Sequence, residues 1–151
     1  MKNEFIGSCQ CRHVRYKVTG KPLTLFNCHC KECQKQSSSA FGMALWVKKE
    51  SIEILSGKLK TWVRNLPNGD TMECDFCPEC GTRIFHRHTS RKDIISIKPG
   101  TLDDTFWLKP AGHVWVQDAQ KWISFTDGGL VYNKDPDDYE KMILKFSSYI
   151  E

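Results

Sequence analysis

Phe76-Cys77-Pro78-Glu79-Cys80-Gly81 has the form of a zinc knuckle: two thiols one short turn apart, then a glycine. Gly81 can take a positive φ, which lets backbone N–H groups curl toward the sulfurs. Such a turn offers two ligands, whereas a structural zinc takes four in a tetrahedron. Cys9-Gln10-Cys11 offers two more, because residues i and i+2 of an extended segment face one side. Joined across the chain, Cys9, Cys11, Cys77 and Cys80 make one closed four-sulfur site. Between the pairs lies Asn27-Cys28-His29-Cys30-Lys31-Glu32-Cys33. Three cysteines so close can embrace one ion, and three protein ligands with an open fourth position mark a catalytic zinc. Cys74 or His29 would close this second site by supplying a fourth ligand.

The 151 residues have the length of a single domain, 1–151, and 40% hydrophobic and 11% aromatic content provides a core. Eight cysteines in a reducing compartment point to metal ligands or redox groups. Disulfide scaffolds are usually shorter than about 100 residues. A thioredoxin-like reading of the lone C-x-x-C ignores the other clustered thiols, and an iron–sulfur cluster would use a spacing unlike the usual ferredoxin run. The formal charge is +4; two divalent ions on seven thiolates bring it to +1. With no Lys/Arg block of five or more, nucleic acid is not an expected partner. No apolar stretch approaches the roughly 18 residues of a membrane span. MKNEFIGSCQC has no apolar run after its lysine, so no secretory signal is expected and a cytoplasmic location is.

The rest of the chain reads as mainly β. Strands are expected over His13–Val18, Phe41–Val47, Leu59–Leu66, Thr71–Phe76, Thr82–Arg87, Asp93–Lys98 and Gly112–Gln117. Pro67-Asn68-Gly69-Asp70 holds an Asn-Gly hairpin signal. Near the C-terminus Asp135 can cap a helix with Pro136 at its first position. Tyr139, Met142, Ile143, Phe146 and Ile150 then fall on one helix face, expected to pack on the sheet.

The chain resembles the glutathione-dependent formaldehyde-activating enzyme family, often grouped with the centromere protein V proteins. The resemblance is carried by Gly7-Ser8-Cys9-Gln10-Cys11 with Val14-Arg15-Tyr16, by Cys28-His29-Cys30 with Cys33 and Phe41, and by Phe76-Cys77 with Cys80-Gly81-Thr82. Gly100-Thr101-Leu102-Asp103, His113-Val114-Trp115-Val116 and Trp122 complete it, over roughly residues 5 to 130. The resemblance implies an Mss4-like stack of small antiparallel sheets and two zinc ions per chain. Cys9, Cys11, Cys77 and Cys80 would hold the structural one, and Cys28, Cys30 and Cys33 the catalytic one. It implies carbon–sulfur lyase chemistry on a small thiol, such as glutathione, and an aldehyde. Many members of the family have glycine where this chain has Arg12 and Ser38, so the loops there are expected to differ in shape.

His29, His86 and His88 are candidate bases because histidine titrates near neutrality. Lys31, Lys35 and Arg12 are candidates to attract a carboxylate-bearing thiol. The competing reading is a non-enzymatic module with two closed zinc sites, used for binding or thiol carriage, in which Trp46, Trp62, Trp107, Trp115 and Trp122 serve core and interface.

Overall fold

Alternating side chains with turn residues between them give short strands, and the protein is mainly β. The structure, a computed structural model, describes residues 3–151; Met1 and Lys2 of the N-terminal reading lie outside the described residues. In chain order the strands are β1 (Glu4–Ser8), β2 (Arg15–Thr19), β3 (Thr24–Cys28), β4 (Gly42–Lys48), β5 (Ile52–Ser56), β6 (Lys60–Asn65), β7 (Thr71–Phe76), β8 (Arg83–His88), β9 (Ile94–Ile97), β10 (Gly112–Val114) and β11 (Leu130–Val131). Helix α1 (Lys31–Ser37) follows β3, and α2 (Glu140–Ile150) lies near the C-terminus. No helix among the described residues is long and apolar enough to cross a membrane.

The chain divides into two compact units interleaved in sequence, Met1–Pro22 with Trp46–Trp107 and Leu23–Leu45 with Leu108–Glu151. In the first unit, β1, β2 and β5 form an antiparallel sheet with β2 central. There β6, β7, β8 and β9 also pair in sequence order, all antiparallel. Val14, Tyr16, Val18, Ile84 and Ile97 are buried there, and the Tyr16 ring meets Phe85 edge-on at 5.0 Å. The β6–β7 turn forms on the Asn-Gly signal: Gly69 has φ 88°, and the Leu66 N–H donates to the Asp70 carbonyl at 2.9 Å.

In the second unit β10 pairs in parallel with both β3 and β11. Helix α2 lies on β3, burying Met142, Phe146 and Ile150. Thr24 Oγ1 donates to the Met142 carbonyl at 3.2 Å. The expected amphipathic face is therefore present, but the helix starts at Glu140, not at Pro136. Asp138 Oδ1 accepts from the Glu140 N–H at 2.9 Å, while Asp135 accepts from the Tyr139 hydroxyl instead of capping. The strand expected over Gly112–Gln117 ends at Val114, because Trp115 turns left-handed at φ 57° and a 3₁₀ turn follows.

Candidate metal centres

The first cluster lies within the first unit. Cys9 and Cys11 converge, though not from an extended segment as expected. They sit in a tight turn in which the Arg12 N–H donates to the Cys9 carbonyl at 3.0 Å and Arg12 has φ 66°. The Val14 N–H donates to Cys9 Sγ at 3.2 Å. On the other side Gly81 has the anticipated positive φ, 77°. Its N–H donates to the Cys77 carbonyl at 2.9 Å, and the Cys77 N–H donates to the Thr82 carbonyl at 2.9 Å. The Cys9 and Cys11 sulfurs lie 3.6 Å apart, and those of Cys11 and Cys77 3.7 Å. Sulfurs on a tetrahedron with bonds of about 2.3 Å sit about 3.8 Å apart, whereas a disulfide needs about 2.05 Å. All eight cysteines are free. The set Cys9, Cys11, Cys77 and Cys80 thus has the spacing and soft donors that a thiophilic ion requires. The Thr82 hydroxyl lies 3.1 Å from Cys80 Sγ. That contact, with backbone N–H groups, holds the Cys80 thiol down at about 5. At Cys11 the His13 backbone lowers the pKa, but burial and the thiols of Cys80, Cys9 and Cys77 prevail and push it up to about 12.

The second cluster, Cys28, Cys30 and Cys33, lies within the second unit. Cys28 ends β3, Cys30 caps α1 by accepting from the Cys33 N–H at 3.3 Å, and Cys33 lies on the first turn. Gly42 backs this helix: a Cβ there would stand 3.2 Å from Cys33 Cβ and 3.5 Å from its sulfur. The Cys28 thiol is pushed up by Cys30 and Cys33 first, then by burial. A thiophilic ion, which binds thiolates and displaces their protons, fits this set of soft donors. The three thiol groups lie within 4.8 Å of one another, and among the described residues no other His, Cys, Asp or Glu joins them. Cys74 is buried in the middle of β7 in the first unit, its thiol directed to the Met72 carbonyl at 3.7 Å.

His29 is fully buried between two ligand candidates, and it does not ligate in this cluster. It is held on three sides. Its N–H donates to the Val114 carbonyl at 3.0 Å, and its carbonyl accepts from Gln34 Nε2 at 2.7 Å. Its ring Nε2 meets His113 Nδ1 at 3.1 Å, and His113 Nε2 meets Asp127 Oδ2 at 2.7 Å. The carboxylate accepts, so His113 carries its proton on Nε2 and accepts through Nδ1, and His29 donates through Nε2. His29 Nδ1 is left as a buried lone pair that meets no hydrogen-bond partner among the described residues, as is Asn27 Oδ1 on the other side of Cys28. Phe41 and Phe125 wall the ring at 5.2 and 5.3 Å. Burial, then His113, lowers the His29 pKa to about 4, so it is neutral at pH 7.

His113 was anticipated only within a family motif, and Asp127 and Gln34 not at all. Their partners lie 84, 14 and 5 residues away, and no local spacing announces them. The other candidates lie elsewhere. His86 and His88 are on β8 in the first unit, His86 against Arg83 and His88 against Ser90. Lys31 and Lys35 are exposed on α1, Lys35 reaching Glu32 at 4.0 Å. Arg12 and Ser38, where altered loops were expected, have φ 66° and 50°. They hold the left-handed conformation that glycine takes freely, so the loops keep a glycine-like shape despite the side chains.

Three comparisons place these features. A crystal structure of a Rhodobacter sphaeroides protein superposes with a TM-score of 0.53 at 15% identity, covering 84% of this chain and 98% of that one; at that identity the likeness concerns the fold. An uncharacterized lyase of Schizosaccharomyces pombe is 27% identical over 90 residues, 60% of this chain and 62% of the relative's length. The family profile described as glutathione-dependent formaldehyde-activating enzyme matches residues 4–118, which include both cysteine clusters. The chain belongs to the glutathione-dependent formaldehyde-activating enzyme family.

Proposed function

We propose that the protein is a zinc-dependent carbon–sulfur lyase acting on a small thiol–aldehyde adduct at the three-cysteine centre. The observation that carries this reading is a cluster of three thiols that no fourth His, Cys, Asp or Glu joins among the described residues, in a member of this family. Cys28, Cys30 and Cys33 would hold the catalytic zinc, and Cys9, Cys11, Cys77 and Cys80 the structural one. A zinc at a three-ligand site stabilises a thiolate and polarises a carbonyl oxygen. In the forward direction a sulfur–carbon bond forms between the thiol and the aldehyde carbon. The carbonyl π pair passes to oxygen, which gains the proton that sulfur has lost; the reverse breaks the same bond.

The protein's own contribution is to hold the cysteine turn. His29 is tied through its backbone to Val114 and Gln34 and through its ring to His113 and Asp127, so the turn between Cys28 and Cys30 has little freedom. Phe41 and Phe125 shield that ring from water. Lys31 on α1 offers positive charge to a carboxylate-bearing thiol such as glutathione. We place this activity in a single cytoplasmic domain with no nucleic-acid partner.

Metal analysis of wild type, Cys28→Ser and Cys74→Ser, with glutathione–formaldehyde exchange followed by NMR, tests the reading. Two zinc ions in wild type and Cys74→Ser, one in Cys28→Ser, and faster exchange with wild type are expected. Loss of an ion in Cys74→Ser would mean a closed second site. Two ions with no acceleration would leave the binding or thiol-carrier module as the correct reading.

A further inference from the structure

The metal centres leave unused a cluster on one face of the β6–β9 strands. Trp62, Cys74, His86 and Ser96 stand opposite one another in a row across the four strands. Arg64, two residues from Trp62, shares that face. Arg83 reaches into the row. Its Nη1 donates to His86 Nε2 at 2.9 Å, and its guanidinium stands 5.9 Å from the centroid of the Trp62 ring. Lys98, just past β9, acts electrostatically on both Cys74 and His86, as do Arg64 and Arg83. The acidic residues of β7 alternate to the other face, where Arg87 takes both Glu73 and Asp75.

Among the described residues no carboxylate oxygen lies within 4.0 Å of the Arg64 or Arg83 guanidinium. Both are half-buried, as is His86, and like charges brought together repel one another. Their field is visible in His86, which burial first and then Lys98, Arg83 and Arg64 push down to about 2. A neutral His86 can only accept from Arg83, and so aims the guanidinium. Trp62, half-exposed, forms an apolar wall beside it. Cys74 is fully buried beneath and is floor, not ligand.

We propose that this face is a binding site for a small anion of the carboxylate or phosphate class, held by Arg64 and Arg83, with Lys98 adding charge and Trp62 packing on the ligand's apolar part. Arginine forks suit both anion types because each offers paired N–H donors. None of these residues belongs to either cysteine cluster, so the site stands or falls independently of the lyase reading.

Calorimetric titration of the zinc-loaded protein with inorganic phosphate, and separately with succinate, tests it. Saturable one-to-one binding of at least one anion is expected. It should weaken about tenfold or more in Arg64→Gln and in Arg83→Gln, less in Arg83→Lys, and not at all in Lys121→Gln. Preference for phosphate would identify a phosphoryl ligand, and preference for succinate a carboxylate one. No saturable binding at millimolar anion, or binding unchanged by both arginine substitutions, overturns the proposal. Should the variants fail to fold, the His86 ring resonances of wild type decide: they must shift saturably with the anion, and their constancy overturns the site.

Discussion

Ser38 and Arg12 carry side chains in a backbone region that costs an L-residue roughly 1–2 kcal/mol. At Ser38 the φ of 50° ends α1, with its N–H donating to the Lys35 carbonyl at 3.3 Å. Glycine is the usual residue at such a helix end. Ser38→Gly is therefore expected to stabilise the protein by about 0.5–1 kcal/mol, after the greater freedom of glycine in the unfolded chain is subtracted. Urea unfolding measures it, and a loss of stability would contradict the strain assigned to Ser38. His86 gives a second residue-scale expectation. Its folded pKa, about 2, lies far below the unfolded value near 6.5. Its contribution to stability is thus complete above about pH 6.5 and declines as pH falls below that value, where the unfolded chain takes up the proton first. His86→Gln should flatten the fall in stability between neutral and acidic pH. An unchanged slope would show that His86 is not the group responsible.

At the scale of elements, the β3–α1 turn owes its form to residues distant in sequence. Asp127 fixes His113, His113 fixes the His29 ring, and Gln34 fixes the His29 carbonyl. Groups that orient a metal-binding segment from behind typically matter by about 10–100-fold in affinity. Asp127→Asn and His113→Gln should each weaken zinc binding at the three-cysteine cluster by about that factor in competition with a fluorescent chelator, leaving zinc binding at the four-cysteine cluster unaffected. Equal loss at both centres would indicate general destabilisation instead. This arrangement also shows where the sequence was readable. The thiol spacings are local, and both clusters form from the expected cysteines. The β6–β7 turn follows from Asn68-Gly69 alone. Helix α1 was not anticipated, because it buries no residue and so has no apolar periodicity to read. The bond between His29 and His113 depends on the parallel register of β3 and β10, which no single stretch of sequence encodes. The start of α2 is not legible from the Asp135-Pro136 signal, because the helix begins at Glu140 after Tyr139 with no side-chain cap, and Asp138 accepts from the Glu140 N–H just ahead of it.

At the scale of the whole molecule, the four-cysteine cluster links parts of the first unit that are distant in sequence. It ties the turn after β1 to the turn after β7. Zinc held in such a site contributes directly to folding. Stripping the metal under reducing conditions should therefore lower the melting temperature and broaden the transition. Amide exchange should rise first at Cys9–Val14 and Phe76–Thr82. A metal-free protein with unchanged protection in both segments would rule out a structural role for that centre.

The interleaving of the two units bears on how the chain is made. Cys11 leaves the ribosome 66 residues before Cys77, a wait of about 3–13 s at ordinary rates of elongation. During that interval the first pair of thiols has no second pair with which to share an ion, whereas Cys28, Cys30 and Cys33 emerge almost together. The buttress behind those three, at His113 and Asp127, emerges later still. The nascent chain thus passes through a stage in which its thiols are synthesised but unsheltered, and during which oxidants and competing metals have their best access to it.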